Sequence, residues 1–145
     1  MGGPGGVGGP EVKSEFTTPA KSVQSFLSAI KSKNPELIAE SVAQRAPLEA
    51  TVKNRKMFSA IIEQSLPNDE LTNLASEFEG YQVIGQNLPK STGSLGVTIG
   101  KTYSRNNFQG RLSRTITVRK ERGEWKVVDV GGVRDSLNPT GKDRD

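Results

Sequence analysis

The chain has no cysteine and no histidine among its 145 residues. The first absence excludes disulfides, thiolate nucleophiles and zinc sites built on sulfur. The second removes the side chain that most often moves protons near neutral pH, and with it Ser-His-Asp hydrolysis and imidazole-bound metals. Any catalysis would fall to carboxylates, lysine or tyrosine with strongly shifted pKa values, and neither a metal nor a cofactor is expected. Tyr81 and Tyr103 are the only phenols. No apolar run approaches the roughly 20 residues that span a bilayer. Residues 1–10 have neither the basic start nor the apolar stretch of a signal peptide, and Gly6 stands where a myristoylation pattern requires Ser or Thr.

What is there describes one domain, long enough to bury a core without staples. The apolar fraction is 32% with a net charge of +4, and part of the low hydropathy belongs to polar ends. Lysine and arginine alternate with glutamate along the chain, a mixed field rather than a one-signed face. Residues 1–15 begin with six Gly and two Pro in the first ten and read as a flexible linker. Such a linker would space the domain from a lipid or membrane anchor removed from its start, which favours an extracytoplasmic location. The folded unit is expected over 16–133, with 134–145 a polar, frayed tail.

The front half carries helical signals. Thr18-Pro19 is a cap followed by proline at the first helical position, and Ala20, Val23, Phe26, Leu27 and Ile30 follow at spacings of three and four. Asn34-Pro35 repeats the signal for a shorter helix carried by Leu37, Ile38 and Val42 as far as Pro47. A third helix is expected from about Asn54 to Leu66, with Met57, Phe58, Ile61 and Ile62 inward and Glu63 toward solvent. After Pro67, Asn68 or Asp69 caps a further stretch through Leu71, Leu74, Ala75 and Phe78.

From Tyr81 the pattern changes to strands. Residues 81–88 form one, ended by Pro89, and Leu95, Val97 and Ile99 alternate with Gly96, Thr98 and Gly100 in the next. Residues 111–120 (RLSRTITVRK) and 125–130 (WKVVDV) flank Glu121-Arg-Gly-Glu124, a hairpin signal. Helices first and sheet afterwards predict an α+β domain, with N-terminal helices packed on a curved antiparallel sheet of about four strands.

The opening residues 18–30 (TPAKSVQSFLSAI) and the closing residues 123–130 (GEWKVVDV) resemble the nuclear transport factor 2-like superfamily, whose cystatin-like fold is an α+β cone. The resemblance covers residues 16–133 and implies a pocket between helices and sheet. It admits small-molecule isomerases, cyclases and dehydratases as well as non-catalytic ligand-binding or assembly domains, often homodimers paired through the sheet. Joined to the glycine-rich start, it implies a periplasmic, lipoprotein-type member. The histidine roles of its dehydratases and cyclases have no counterpart here.

A two-residue turn at Arg122-Gly123 places Val118 opposite Val127, Ile116 opposite Asp129 and Arg114 opposite Gly131. Asp129 is then the one acid on the inward face, with Arg114 diagonal to it. The expected ligand pocket is Arg114, Ile116, Trp125, Val127 and Asp129. Two readings stay open: a non-catalytic ligand-binding or interaction domain, in which Asp129 is a structural ion-pair residue; or an isomerase or cyclase with Asp129 as base and Tyr81 or Tyr103 as hydrogen-bond donor. Arg105, Arg111, Arg114, Arg119 and Arg122 make the sheet half basic and suit an anionic ligand or an acidic partner. Aromatic residues are not interleaved with them, which argues against single-stranded nucleic acid.

Overall fold

The computed structural model describes residues 14–85, 88–91 and 93–137. The glycine-rich start and residues 138–145 lie outside the described residues. Five helices precede the sheet: α1 (Pro19–Ser32), α2 (Pro35–Ser41), α3 (Ala46–Glu49), α4 (Val52–Ile62) and α5 (Asn68–Glu77). Six strand segments follow: β1 (Gln82–Val83), β2 (Leu88–Ser91), β3 (Ser94–Arg105), β4 (Phe108–Glu121), β5 (Glu124–Val130) and β6 (Arg134–Asp135). The fold is α+β, with the segregated order that the nuclear transport factor 2-like resemblance implies.

Local chemistry sets the helix ends. The Thr18 hydroxyl accepts from the Lys21 N–H and the Asn34 side chain from the Leu37 N–H, both at 3.1 Å, satisfying donors that a helix start leaves open. Lys33 closes α1 in a left-handed conformation, its N–H reaching the Ile30 carbonyl. Three boundaries differ from expectation, the first being the third expected helix, which runs Val52–Ile62 rather than to Leu66. Pro47 does not end α2 but sits inside α3, at the start of a helix where its missing N–H costs nothing. Pro67, rather than Asn68 or Asp69, takes the cap position of α5.

The sheet is antiparallel and four positions wide. The segments β1 and β2 share one edge beside β3, then come β4 and, on the far edge, β5 and β6. The expected single strand over residues 81–88 is therefore two short segments, and Pro89 lies within β2, an edge where a missing N–H is tolerated. Both central connections are two-residue turns with positive φ at both positions, Asn106-Asn107 and Arg122-Gly123, the geometry that suits the twist of paired strands.

One face of the sheet lies on α1, which touches β1, β3, β4 and β5. Its register rows are apolar: Leu95, Val118 and Val127, then Val97, Ile116 and Val130. Val97, Ile116, Val118 and Val127 have no exposed surface, and Phe26, Ile30 and Phe58 from the helices fill the space against them. Each such side chain contributes about 1.5–3 kcal/mol by leaving water. The edge at β5 is covered: the Ala43 N–H donates to the Val127 carbonyl at 2.8 Å and the Trp125 N–H to the Phe16 carbonyl at 2.9 Å.

The hairpin register holds from Glu121–Glu124 to Val118–Val127, then shifts. An extra residue, Val128, bulges from β5, so that Thr117 faces Asp129 and Ile116 faces Val130. A bulge of one residue turns everything beyond it to the other face. The expected pairing of Ile116 with Asp129 is thereby corrected. The segment expected as the start of a frayed tail also differs: Arg134 and Asp135 pair with Ser113 and Leu112 of β4.

Candidate functional site

Beyond the packed rows, the same face becomes polar. The next row pairs Ile99 with Arg114, then Lys101 with Leu112, and Tyr103 with Gly110. Arg114 is only 5% exposed, and a buried guanidinium needs partners. It has three: Nη1 lies 2.8 Å from Glu77 Oε2, Nε donates to the Gly131 carbonyl at 2.7 Å, and the group sits 4.5 Å from the Phe78 ring centre. Its carboxylate partner is Glu77 at the end of α5, not Asp129.

Phe78 is the centre of an aromatic group. It meets Phe26 edge-on at 6.0 Å and Tyr81 at 6.2 Å, spacings at which ring quadrupoles attract. Gly80, with φ of 83°, makes the reversal that carries the chain from α5 into Tyr81. The Tyr81 ring is 7% exposed and lies 4.9 Å below the Lys101 ammonium, which donates to the Glu79 carbonyl at 2.9 Å. Burial pushes the Tyr81 phenol above its ordinary pKa; the Arg114 charge opposes this and Glu77 adds to it. Tyr81 is therefore a neutral hydrogen-bond donor at physiological pH.

Phe78 and Tyr81 line a cleft of about 700 Å³ between the C-terminal half of α1 and α5. Leu27 and Ile30 give it an apolar wall, Ser28, Thr72 and Ser76 a hydroxyl rim, and Lys31, Lys33 and Glu79 its charges. None of Arg114, Ile116, Trp125, Val127 and Asp129 lines it. Ile116 and Val127 are core. Trp125 is half-buried at the covered edge, with the Lys120 ammonium 5.9 Å from its ring.

Asp129 works elsewhere. Its carboxylate accepts from the Thr51 N–H at 3.1 Å, the Thr51 hydroxyl at 3.5 Å, the Asn54 amide at 2.8 Å and the Val130 N–H at 3.0 Å. Thr51 is the cap residue of α4 and makes no side-chain cap bond of its own. Asp129 thus supplies, from the sheet, the anion that a helix start attracts. Tyr103 points away from it as well: its hydroxyl donates to Asp135 Oδ1 at 2.5 Å, and its ring lies against Gly110. Among the remaining arginines, Arg119 pairs with Glu49 at 2.8 Å and Arg105 sits 5.7 Å from the Tyr103 ring, while Arg111 and Arg122 face solvent.

No family model matches the chain, and no curated protein matches it. Among solved structures it is similar to an engineered NTF2 chain, Rd1NTF2_05 with five substitutions, at 13% identity and a TM-score of 0.47, over 77% of this chain and 92% of that one. It is also similar to a Streptomyces avermitilis protein of the NTF2-like family, provisionally described as a dehydratase, at 13% identity and a TM-score of 0.36, over 78% of this chain and 95% of that one. At such values neither match transfers an activity or a residue role.

The structure brings Tyr81 and Arg114 to one neighbourhood, through Phe78 and Glu77, and separates Asp129 from both tyrosines by function. Sequence reasoning missed Glu77, Lys31, Lys33 and Asp135. Glu77 and Lys31 sit on helix surfaces and Lys33 at the left-handed end of α1, with no local mark of a site. Asp135 lay in the stretch read as a tail. Among the described residues no group of three acidic, His or Cys side chains could hold a metal, and no helix is long and apolar enough to cross a membrane.

Proposed function

We propose that the chain is a non-catalytic binding domain that holds a small molecule in the cleft between α1 and α5. The observation that carries this reading is an open cleft between two helices beside a closely packed core. Under α1 the strand residues Val97, Ile99, Ile116 and Val118 are packed with no exposed surface. Between the C-terminal half of α1 and α5 lies an open cleft of about 700 Å³ lined by Phe78 and Tyr81. Its volume falls within the roughly 300–1,000 Å³ of small-molecule sites, and it sets an apolar wall of Leu27, Ile30 and Phe78 beside a polar rim. The isomerase or cyclase reading is less well supported. Four donors already occupy the Asp129 carboxylate, which has about four lone-pair positions to offer.

Binding of an apolar fluorophore such as anilinonaphthalene sulfonate, followed with amide NMR shifts, tests the reading. Shifts are expected at Ser28, Thr72, Ser76 and Gly80. Ser28→Trp places an indole in the cleft from an exposed position and is expected to abolish binding with the far-UV spectrum unchanged; undiminished binding refutes the site. The reading includes pairing of two copies through the outer sheet face, where Thr98, Ser113, Thr115 and Thr117 stand half-buried around Gly96 and Gly100. Sedimentation should then give twice the chain mass, and a monomer at high concentration removes that part.

A further inference from the structure

The cleft has a charge pattern that narrows its ligand class. Lys31 and Lys33 are exposed on its rim, and among the described residues neither makes an ion pair. The Lys101 ammonium stands beside Tyr81, held on the Glu79 carbonyl. The Glu79 carboxylate is the single acid on the lining, so two lining ammonium groups, Lys31 and Lys33, stand against one carboxylate. The Tyr81 ring is packed on two sides, while its hydroxyl makes no hydrogen bond to a described residue and is not among the buried unsatisfied groups, so it reaches solvent at the cleft. Leu27, Ile30 and Phe78 supply apolar surface alongside.

We propose, resting on the cleft reading above, that the ligand is a monoanionic amphiphile: a carboxylate carrying an apolar chain or ring. The chain or ring lies against Leu27, Ile30 and Phe78. The carboxylate takes the Tyr81 hydroxyl as donor and Lys31 and Lys33 as counter-charges. A carboxylate fits better than a neutral or cationic head because the lining carries two ammonium groups against one carboxylate, and hydrogen bonds to an ionised acceptor are about twice as strong as neutral ones. Glu79 sets the limit at one negative charge, since a dianion would bring like charges together. The lysines are exposed, so their share is screened by salt, whereas the Tyr81 bond is not.

The test compares decanoate, decanol and decyltrimethylammonium, all below their micelle concentrations, by amide NMR and calorimetry on the full chain. Decanoate is expected to bind at least about tenfold more tightly than decanol, a difference of about 1.4 kcal/mol, and the cation more weakly than either. Tyr81→Phe, which keeps the ring, should weaken decanoate several-fold and leave decanol unchanged. Lys31→Gln with Lys33→Gln should reduce the preference for decanoate and flatten its salt dependence. Equal affinity for all three probes, with shifts at Ser28 and Gly80, overturns anion selection but leaves the cleft as a binding site. Shifts absent from the cleft with every probe overturn both.

Discussion

Asp129→Ala separates a structural carboxylate from a catalytic one. The wild-type side chain supplies the cap that Thr51 lacks, worth about 1 kcal/mol in helix-capping series. Its charge at the α4 start adds about 0.5 kcal/mol at an exposed site, and the 2.8 Å bond to half-buried Asn54 about 1 kcal/mol. Some of this returns as water replaces the carboxylate, so the expected loss is about 2 kcal/mol. With a urea slope of about 1.5 kcal/mol/M, the midpoint falls by about 1.3 M. The assay is equilibrium unfolding followed through Trp125, the single tryptophan, which sits two residues from the hairpin turn. Asp129→Asn keeps one acceptor oxygen and should lose about half as much. A carboxylate held in a pocket for catalysis would behave oppositely, its removal leaving stability unchanged or raised. An alanine variant within about 0.5 kcal/mol of wild type refutes the capping account.

Arg122 adopts φ of 54° before Gly123, a conformation that asparagine tolerates better than arginine. Arg122→Asn should therefore raise stability by about 0.5–1 kcal/mol, seen as a higher urea midpoint with the slope unchanged. A methyl group at Gly110 would lie 2.5 Å from the Tyr103 ring, so Gly110→Ala should cost about 1–3 kcal/mol and displace the Tyr103 bond to Asp135. In a Tyr103→Ala background the same change should cost almost nothing, and an equal cost there counts against the contact. The raised pKa of Tyr81 means that its neutral form contributes stability in full below about pH 10, the unfolded value, which is lost as pH climbs through the higher folded value. Tyr81→Phe should flatten that alkaline decline, and an unchanged decline shows that the phenol is not its source.

The sequence states its fold most clearly where the signal is local. Thr18-Pro19 and Asn34-Pro35 cap helices within four residues of themselves, and Arg122-Gly123 closes a hairpin whose first pairs follow by counting. The count fails at Val128. Two adjacent valines, Val127 and Val128, both find the core, and nothing in a Val-Val pair says which is the extra residue. That one residue carried Asp129 from the expected pocket to the start of α4. The cleft was illegible for a related reason. It is made by the ends of α1 and α5 meeting across the chain, and Lys31, Lys33 and Ser76 look like any solvated helix surface until those ends are set together. Glu77 as the partner of Arg114 is a contact between distant segments of the same kind.

The bonds from Phe16 to Trp125 and from Ala43 to Val127 join the earliest described segment and the stretch after α2 to nearly the last strand. Such pairings close very long loops, and search over long loops is slow. The β5 border is left without backbone partners on its outer side until these segments clasp it. Loss of Phe16 or its neighbours would expose an unsatisfied strand border, open to recruitment by another molecule. The front segment thus acts as a molecular clasp, and its removal should favour fibrous association before it alters the helices.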